Sequence, residues 1–219
     1  AINMYKPRFF FIRTPILFTL SERWGRDKHS SCRADGRCST IGTMMKRRDI
    51  LVHACCGPCS TSSIERMLGE GWNPVLYFSN SNIFPFEEAQ KRFDELMKVA
   101  KIYELEVIRE IYDHESWLKA IRGFEKEQEG GERCRNCFAY NLAEANAKAI
   151  QLGFDHFTTT LTVSRFKHSP TIFAVGKQYE RFEAIDFKKQ GGFERSNILS
   201  REYGLYRQQY CGCEFSIRP

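Results

Sequence analysis

Apolar residues recur along this chain with two different periods. Short β-type runs over 49–54 (DILVHA), 74–80 (PVLYFSN), 105–111 (LEVIREI), 156–161 (HFTTTL) and 182–187 (FEAIDF) predict five strands. Between them the spacing turns helical. Within 82–104, Phe86, Phe93, Leu96, Val99, Ala100 and Tyr103 share one face of a long amphipathic helix. The segment after residue 54 reads as a turn into a helix, with Ser60–Ser62 as caps and Gly69 and Gly71 closing it. Further helices are predicted over 116–125, 135–152, 169–182 and 194–208, the third of these capped by Ser169 with Pro170 in first position. This alternation predicts an α/β fold: a mostly parallel sheet with flanking helices. Such sheets bind ligands beyond the carboxyl ends of their strands, at the switch point. The places to look are therefore 55–59 after the first strand, Ser79 and Asn80 after the second, Asp113 after the third and Thr162–Ser164 after the fourth.

Residues 1–45 break the pattern. The run PRFFFIRTPILFTL is interrupted by Arg13 and Pro15, and the polar stretch SERWGRDKHSSCRADGRCSTIGT follows. A signal peptide needs an uninterrupted apolar core and a small-residue cleavage site, so this is a poor match. Residues 1–45 are read as a leader or extension outside the catalytic fold, and 46–219 as a single catalytic domain. At 42% apolar and 27% charged, the composition is globular. No apolar run approaches the ~20 residues a membrane span requires, and no membrane partner is expected. The net charge of +6 divides unevenly. Residues 1–45 carry eight basic and three acidic groups, leaving 25 and 24 for 46–219, a net of +1. Charge alone therefore does not announce a nucleic-acid partner.

Cysteine changes the picture most. Of nine cysteines, seven fall in three tight clusters: Cys55, Cys56 and Cys59; Cys134 and Cys137; Cys211 and Cys213. An odd total and adjacent pairing argue against a secreted disulfide framework. They suggest a reducing, cytoplasmic compartment and a soft-metal site. HACCGPCS occupies the turn where a nucleotide loop would stand, yet it is neither GxGxxG nor GxxxxGK[ST]. A helix N-terminus at this turn favours thiolates. Adjacent Cys55 and Cys56 are expected to point apart, which disfavours a disulfide between them. Two thiolates from this cluster and two from Cys134-x-x-Cys137 make a four-sulfur site. By ligand count it suits zinc or an iron–sulfur cluster equally; its place at the sheet's functional edge speaks against a structural clasp. Cys211-Gly212-Cys213 can close a small, strained, redox-active disulfide or ligate metal. His53, inside a strand, reads as a core histidine.

Taken together, HACCGPCS, YFSNSNIFPFEEAQKR, EGGERCRNCF and DFKKQGGFERSNILSREYGLYRQQYCGCEFS resemble, in order and spacing, the QueH-type epoxyqueuosine reductases. The resemblance covers 46–219 and none of 1–45; Cys32 and Cys38 match nothing in it. One departure is Ser81, where the family pattern has proline. The resemblance implies reduction of epoxyqueuosine to queuosine at the wobble position of tRNA, the last step of queuosine synthesis. It implies a Rossmann-like fold akin to the adenine-nucleotide alpha-hydrolase (HUP) group and a [4Fe-4S] cluster held by Cys55, Cys56, Cys134 and Cys137. It makes Cys211 and Cys213 the redox pair and leaves Cys59 for an additional adjacent iron or for the substrate side.

Removing an epoxide oxygen takes two electrons and two protons, and side chains supply only the protons. Asp113, His114, Glu87, Tyr112 and Asp186 are candidate donors by position, although each also reads as a cap or a solvated carboxylate or as ordinary surface. No dinucleotide fingerprint is present, so a separate donor of the ferredoxin or flavodoxin type is expected. For RNA, which is held by phosphate charge and base stacking, the expected contact set is Arg165, Lys167, Lys188 and Lys189. Two other readings stand beside this one. A cluster-dependent tRNA sulfur-transfer enzyme would need an SGGxDS-type ATP loop where HACCGPCS stands. A zinc-clasped RNA-binding module would hold the same thiols without turnover.

Overall fold

The computed structural model describes residues 47–217. The extension read over 1–45, with Cys32 and Cys38, lies outside the described residues. Four strands form one parallel sheet: β1 (Arg48–His53), β2 (Trp72–Phe78), β3 (Val107–Arg109) and β4 (Phe157–Thr159), in the order β3-β2-β1-β4. Between and after them run α1 (Gly57–Gly69), α2 (Phe86–Ile102), α3 (His114–Ala120), α4 (Glu132–Leu152), α5 (Ser169–Gly176) and α6 (Gly192–Glu202).

The layering follows from strand alternation. Ile50 and Val52 of β1 pack with Ile64 and Met67 of α1 and with Leu96 and Val99 of α2 on one face. Leu51 packs on the other face with Leu142 and Ala145 of α4 and Ile172 and Val175 of α5. β1 is flanked by β2 and β4, and its last four residues are buried. The strand order reverses between β1 and β4, so the carboxyl ends of these two parallel strands form the switch point. His53 ties that edge together. Its Nδ1 lies 2.9 Å from Thr159 Oγ1 and its Nε2 3.2 Å from the Ser79 carbonyl. Burial lowers its pKa, outweighing the opposing effect of Cys55 and of its hydrogen bonds, so it reads as a core residue, in line with the sequence.

Several sequence expectations are corrected. The strand expected over 182–187 does not form; only Phe182 bridges Phe157. Side-chain hydroxyls hold this segment where a ladder would have: Thr158 Oγ1 donates to the Glu183 carbonyl and Thr162 Oγ1 to that of Ile185. β4 is cut short because Thr160–Val163 winds into a 3-10 turn, started by Thr159 Oγ1 accepting from the Leu161 amide. Ser60–Ser62 do not cap α1. The helix begins at Gly57, and Ser60 and Thr61 instead return hydrogen bonds to the Cys56 and Pro58 carbonyls. Ser169 is likewise inside α5, where its hydroxyl donates to Asp186. α6 ends at Glu202, short of the expected 208, before Gly204 at φ +60°.

Candidate metal and redox site

The turn from β1 into α1 presents three thiols at the switch point. A bend at Cys55 and the extended backbone of Cys56 at the helix cap swing both sulfurs the same way. They lie 3.8 Å apart, not divergent as expected, and with Cys59 one turn on all three sulfurs fall within 4.8 Å of one another. Close approach permits this geometry: a Cβ on Gly57 would sit 2.6 Å from the Glu95 carbonyl oxygen, so only glycine lets α1 start this tightly against α2. The three thiols share protons. Cys56 is held well below the ordinary thiol pKa because Cys55 and Cys59 hydrogen-bond to it. Those same hydrogen bonds push Cys55 up and Cys59 well up. Three sulfurs this close together are a donor set able to hold a metal.

The other four thiols line a small cavity of about 30 Å³ beside the triad: Cys134, Cys137, Cys211 and Cys213. Cys134 and Cys137 sit in the first turns of α4, and burial raises both their pKa values. Cys211 and Cys213 reach the cavity from the C-terminal segment, which is fastened by hydrogen bonds. The Arg92 guanidinium donates to the carbonyls of Cys211 (2.9 Å) and Tyr210 (3.2 Å), and the Phe84 amide donates to that of Gly212 (2.9 Å). Gly212 itself stands at φ +143°, a conformation that favours glycine. All seven described cysteines are free.

Three features of this region suit an anionic metal–thiolate occupant. Two buried side-chain donors without a hydrogen-bond partner belong to residues lining the cavity: Trp117 Nε1 and Arg133 Nε. Three cations, Arg92, Arg133 and Lys167, line it as well. Burial opposes the Lys167 charge, but Cys211 and the 55–59 triad outweigh it and raise its pKa. Finally, four sulfurs accept hydrogen bonds from groups other than cysteine: Cys55 from Thr160 Oγ1 (3.5 Å), Cys56 from Gln208 Nε2 (3.4 Å), Cys134 from the Gly130 amide (3.2 Å) and Cys137 from Asn141 Nδ2 (3.6 Å). Donors of this kind orient thiolate ligands and set the electronics of what they bind.

The remaining expected residues are placed differently. Asp113 lines neither cavity. It is exposed and caps α3, accepting from the Ser116 amide and hydroxyl, which hold its carboxyl below the usual range. Ser81 accepts from the Asp113 amide through Oγ, so its hydroxyl secures that cap. Arg165 and Lys167 line a wide outer groove together with Cys59 and Cys211. Lys188 and Lys189 are not among its lining residues, and the Lys188 ammonium is bonded to the Lys167 carbonyl. Arg92 and Gln208 escaped the sequence reading. Arg92 looked like one more charge on an amphipathic helix, and only the i−4 acid Glu88 signalled an ion pair.

No helix among the described residues is long and apolar enough to cross a membrane. The chain is similar to an archaeal protein of known structure, a predicted subunit of tRNA methyltransferase from Methanocaldococcus jannaschii, with a TM-score of 0.50 and 17% identity over 71% of this chain and 75% of that one. That likeness concerns the fold. Sequence relatives are nearer. The chain is 37% identical over 183 residues to epoxyqueuosine reductase QueH of Streptococcus pyogenes, covering 78% of this chain and 71% of the relative. It is 34% identical over 176 residues to that of Thermotoga maritima, covering 77% and 90%. The sequence model described as epoxyqueuosine reductase QueH matches residues 50–219, a span that takes in all seven clustered thiols and the whole of the parallel sheet beyond its first two residues. With the family's sequence pattern laid over a thiol-lined switch point, the chain belongs to the QueH family of epoxyqueuosine reductases.

Proposed function

We propose that this chain is an oxidoreductase that reduces epoxyqueuosine to queuosine at the wobble position of tRNA, the last step of queuosine synthesis. The observation that carries the reading is the convergence of seven thiols on the sheet's switch point in a chain of this family. Deoxygenation consumes two electrons and two protons and releases the epoxide oxygen as water, leaving the ring with a double bond. Oxidation of the Cys211 and Cys213 thiols to a disulfide yields two electrons and two protons, so the reaction balances on this pair alone. An external donor of the ferredoxin or flavodoxin type then restores the dithiol.

Cys55, Cys56, Cys134 and Cys137 would hold a [4Fe-4S] cluster; the support is that each of these four sulfurs receives a hydrogen bond from a non-cysteine donor. When bound, the cluster supplies electrons at low potential. The chain's own contribution is to hold thiolates with Thr160, Gln208, Gly130 and Asn141, to neutralise their charge with Arg92 and Lys167, and to present Cys211 to the outer groove. The free thiols call for a reducing, cytoplasmic setting. A second reading rests on the 4.8 Å triad: Cys55, Cys56 and Cys59 hold a separate metal ion beside the remaining thiols.

Anaerobically purified protein tests these readings through colour, iron content and turnover of epoxyqueuosine-containing tRNA with a low-potential reductant. About four irons per chain are expected. Cys55→Ser, Cys56→Ser, Cys134→Ser and Cys137→Ser should lose the cluster, while Cys211→Ser should keep it and lose turnover. Colourless, inactive protein holding zinc overturns the enzyme reading. Loss of metal in Cys59→Ser with full retention in Cys134→Ser favours the triad.

A further inference from the structure

The outer groove has a volume of about 1000 Å³, far larger than the inner cavity, and the two are joined by residues lining both: Lys167 and Cys211. Its charged lining is one-sided. Arg165, Lys167, Arg201 and Arg207 face a single acid, Glu129, although residues 46–219 carry nearly equal numbers of bases and acids. Among the described residues Arg165, Arg201 and Arg207 have no carboxylate partner. All three are exposed. Arg207 is steadied by donating to Ser200 Oγ at 3.1 Å. Arg165 lies over two aromatic rings, 4.9 Å from the centroid of Phe166 and 5.5 Å from that of Phe193. Phe166 is 73% exposed, a large apolar ring left open at a basic surface.

Unpaired guanidinium groups with an open aromatic face are what a single RNA strand requires: fixed cations for phosphates and a ring on which a splayed base can stack. We propose that this groove is the RNA site. Arg165, Arg201 and Arg207 bind the phosphates flanking the modified nucleotide, and Phe166, backed by Arg165 and Phe193, stacks a neighbouring anticodon-loop base. The nucleotide itself is thereby directed to where Cys59 and Cys211 line the groove. The proposal rests on the tRNA reading above, and it moves the expected contacts from Lys188 and Lys189 to α6 and the segment after it.

The test uses a fluorescent anticodon stem–loop RNA with unmodified guanine at the wobble position, so binding is read without chemistry. Its affinity for the full chain is followed across salt concentrations. Arg201→Gln/Arg207→Gln should weaken binding at least tenfold at low salt and reduce the magnitude of the log–log salt slope by roughly 1.4, about 0.7 per single-strand phosphate contact. Phe166→Ala should weaken binding about tenfold with the slope unchanged. Lys188→Gln/Lys189→Gln removes the same charge outside the groove and should change neither. Equal losses in the two double variants, or unaltered binding by Arg201→Gln/Arg207→Gln of unchanged melting temperature, overturn the groove. So does unaltered KM of that variant on epoxyqueuosine-containing tRNA, while the enzyme reading survives. Failure of the wild-type chain to turn over that tRNA overturns the enzyme reading, whatever the binding data.

Discussion

Arg92 is the test of how the C-terminal thiols are held. Its side chain is 2% exposed and is paired through Nε with Glu88 at 2.7 Å; that carboxylate is 11% exposed. Its two terminal nitrogens satisfy the Cys211 and Tyr210 carbonyls. Arg92→Met keeps much of the apolar stem and removes all three interactions. Breaking a buried ion pair by deleting one partner costs about 3–5 kcal/mol, because the other charge is stranded. Hydrogen bonds to charged groups are worth about 1.5–3 kcal/mol each but overlap with that figure, so a loss of about 4 kcal/mol is expected. For a domain of this size that lowers the melting temperature by roughly 8–16 °C. Arg92→Lys keeps the charge but cannot span Glu88 and both carbonyls, and should lose about half as much. Adding Glu88→Gln to Arg92→Met should recover about 1 kcal/mol by relieving the stranded carboxylate. A second measurement separates local from global loosening: maleimide labelling of the buried Cys213 in native conditions, expected to accelerate in both Arg92 variants. If Arg92→Met melts within a degree or two of wild type and labels no faster, the clamp is not what positions the pair.

Gly57→Ala places a methyl group 2.6 Å from the Glu95 carbonyl oxygen, and should cost about 1–3 kcal/mol while lowering the stoichiometry of bound metal, measured by unfolding and metal analysis. Gln208→Leu removes a hydrogen bond to Cys56 Sγ, so the midpoint potential of the reconstituted centre should move negative; an unchanged potential would rule out tuning by this amide. Glu110 receives bonds from Lys148 (2.7 Å) and Tyr77 (3.0 Å), and these, against the opposing effect of burial, lower its pKa below the ordinary 4.5. Its contribution is therefore fully present above about pH 4.5 and is lost as pH falls through the lower folded value, so Glu110→Gln should flatten the acid limb of stability against pH without altering turnover at neutral pH.

The sheet's centre was legible because β1 and β2 are continuous apolar runs in a two-faced layer. Its edges were not. The 182–187 segment alternates like a strand, but Thr158 and Thr162 capture its carbonyls, a choice no one-dimensional period records. The cysteines were legible as chemistry from their clustering alone, and the tight Gly57 turn keeps Cys59 with Cys55 and Cys56. What was not legible is that Cys134 and Cys137 line one cavity with Cys211 and Cys213, across long sequence separations. Of the groove cations, Arg165 and Lys167 belong to the expected set, whereas Arg201 and Arg207, which flank the end of α6, join them only across a long sequence separation.

Cys211 lines both the inner cavity and the outer groove, whereas Cys213 lines only the inner one. If the pair is the redox couple proposed above, it is set across a wall with a wet face and a dry face. Electrons would then reach the dry face while RNA fills the other, so recharging would not await departure of the product. The steady-state pattern expected of that proposal is one in which reductant and RNA bind in either order.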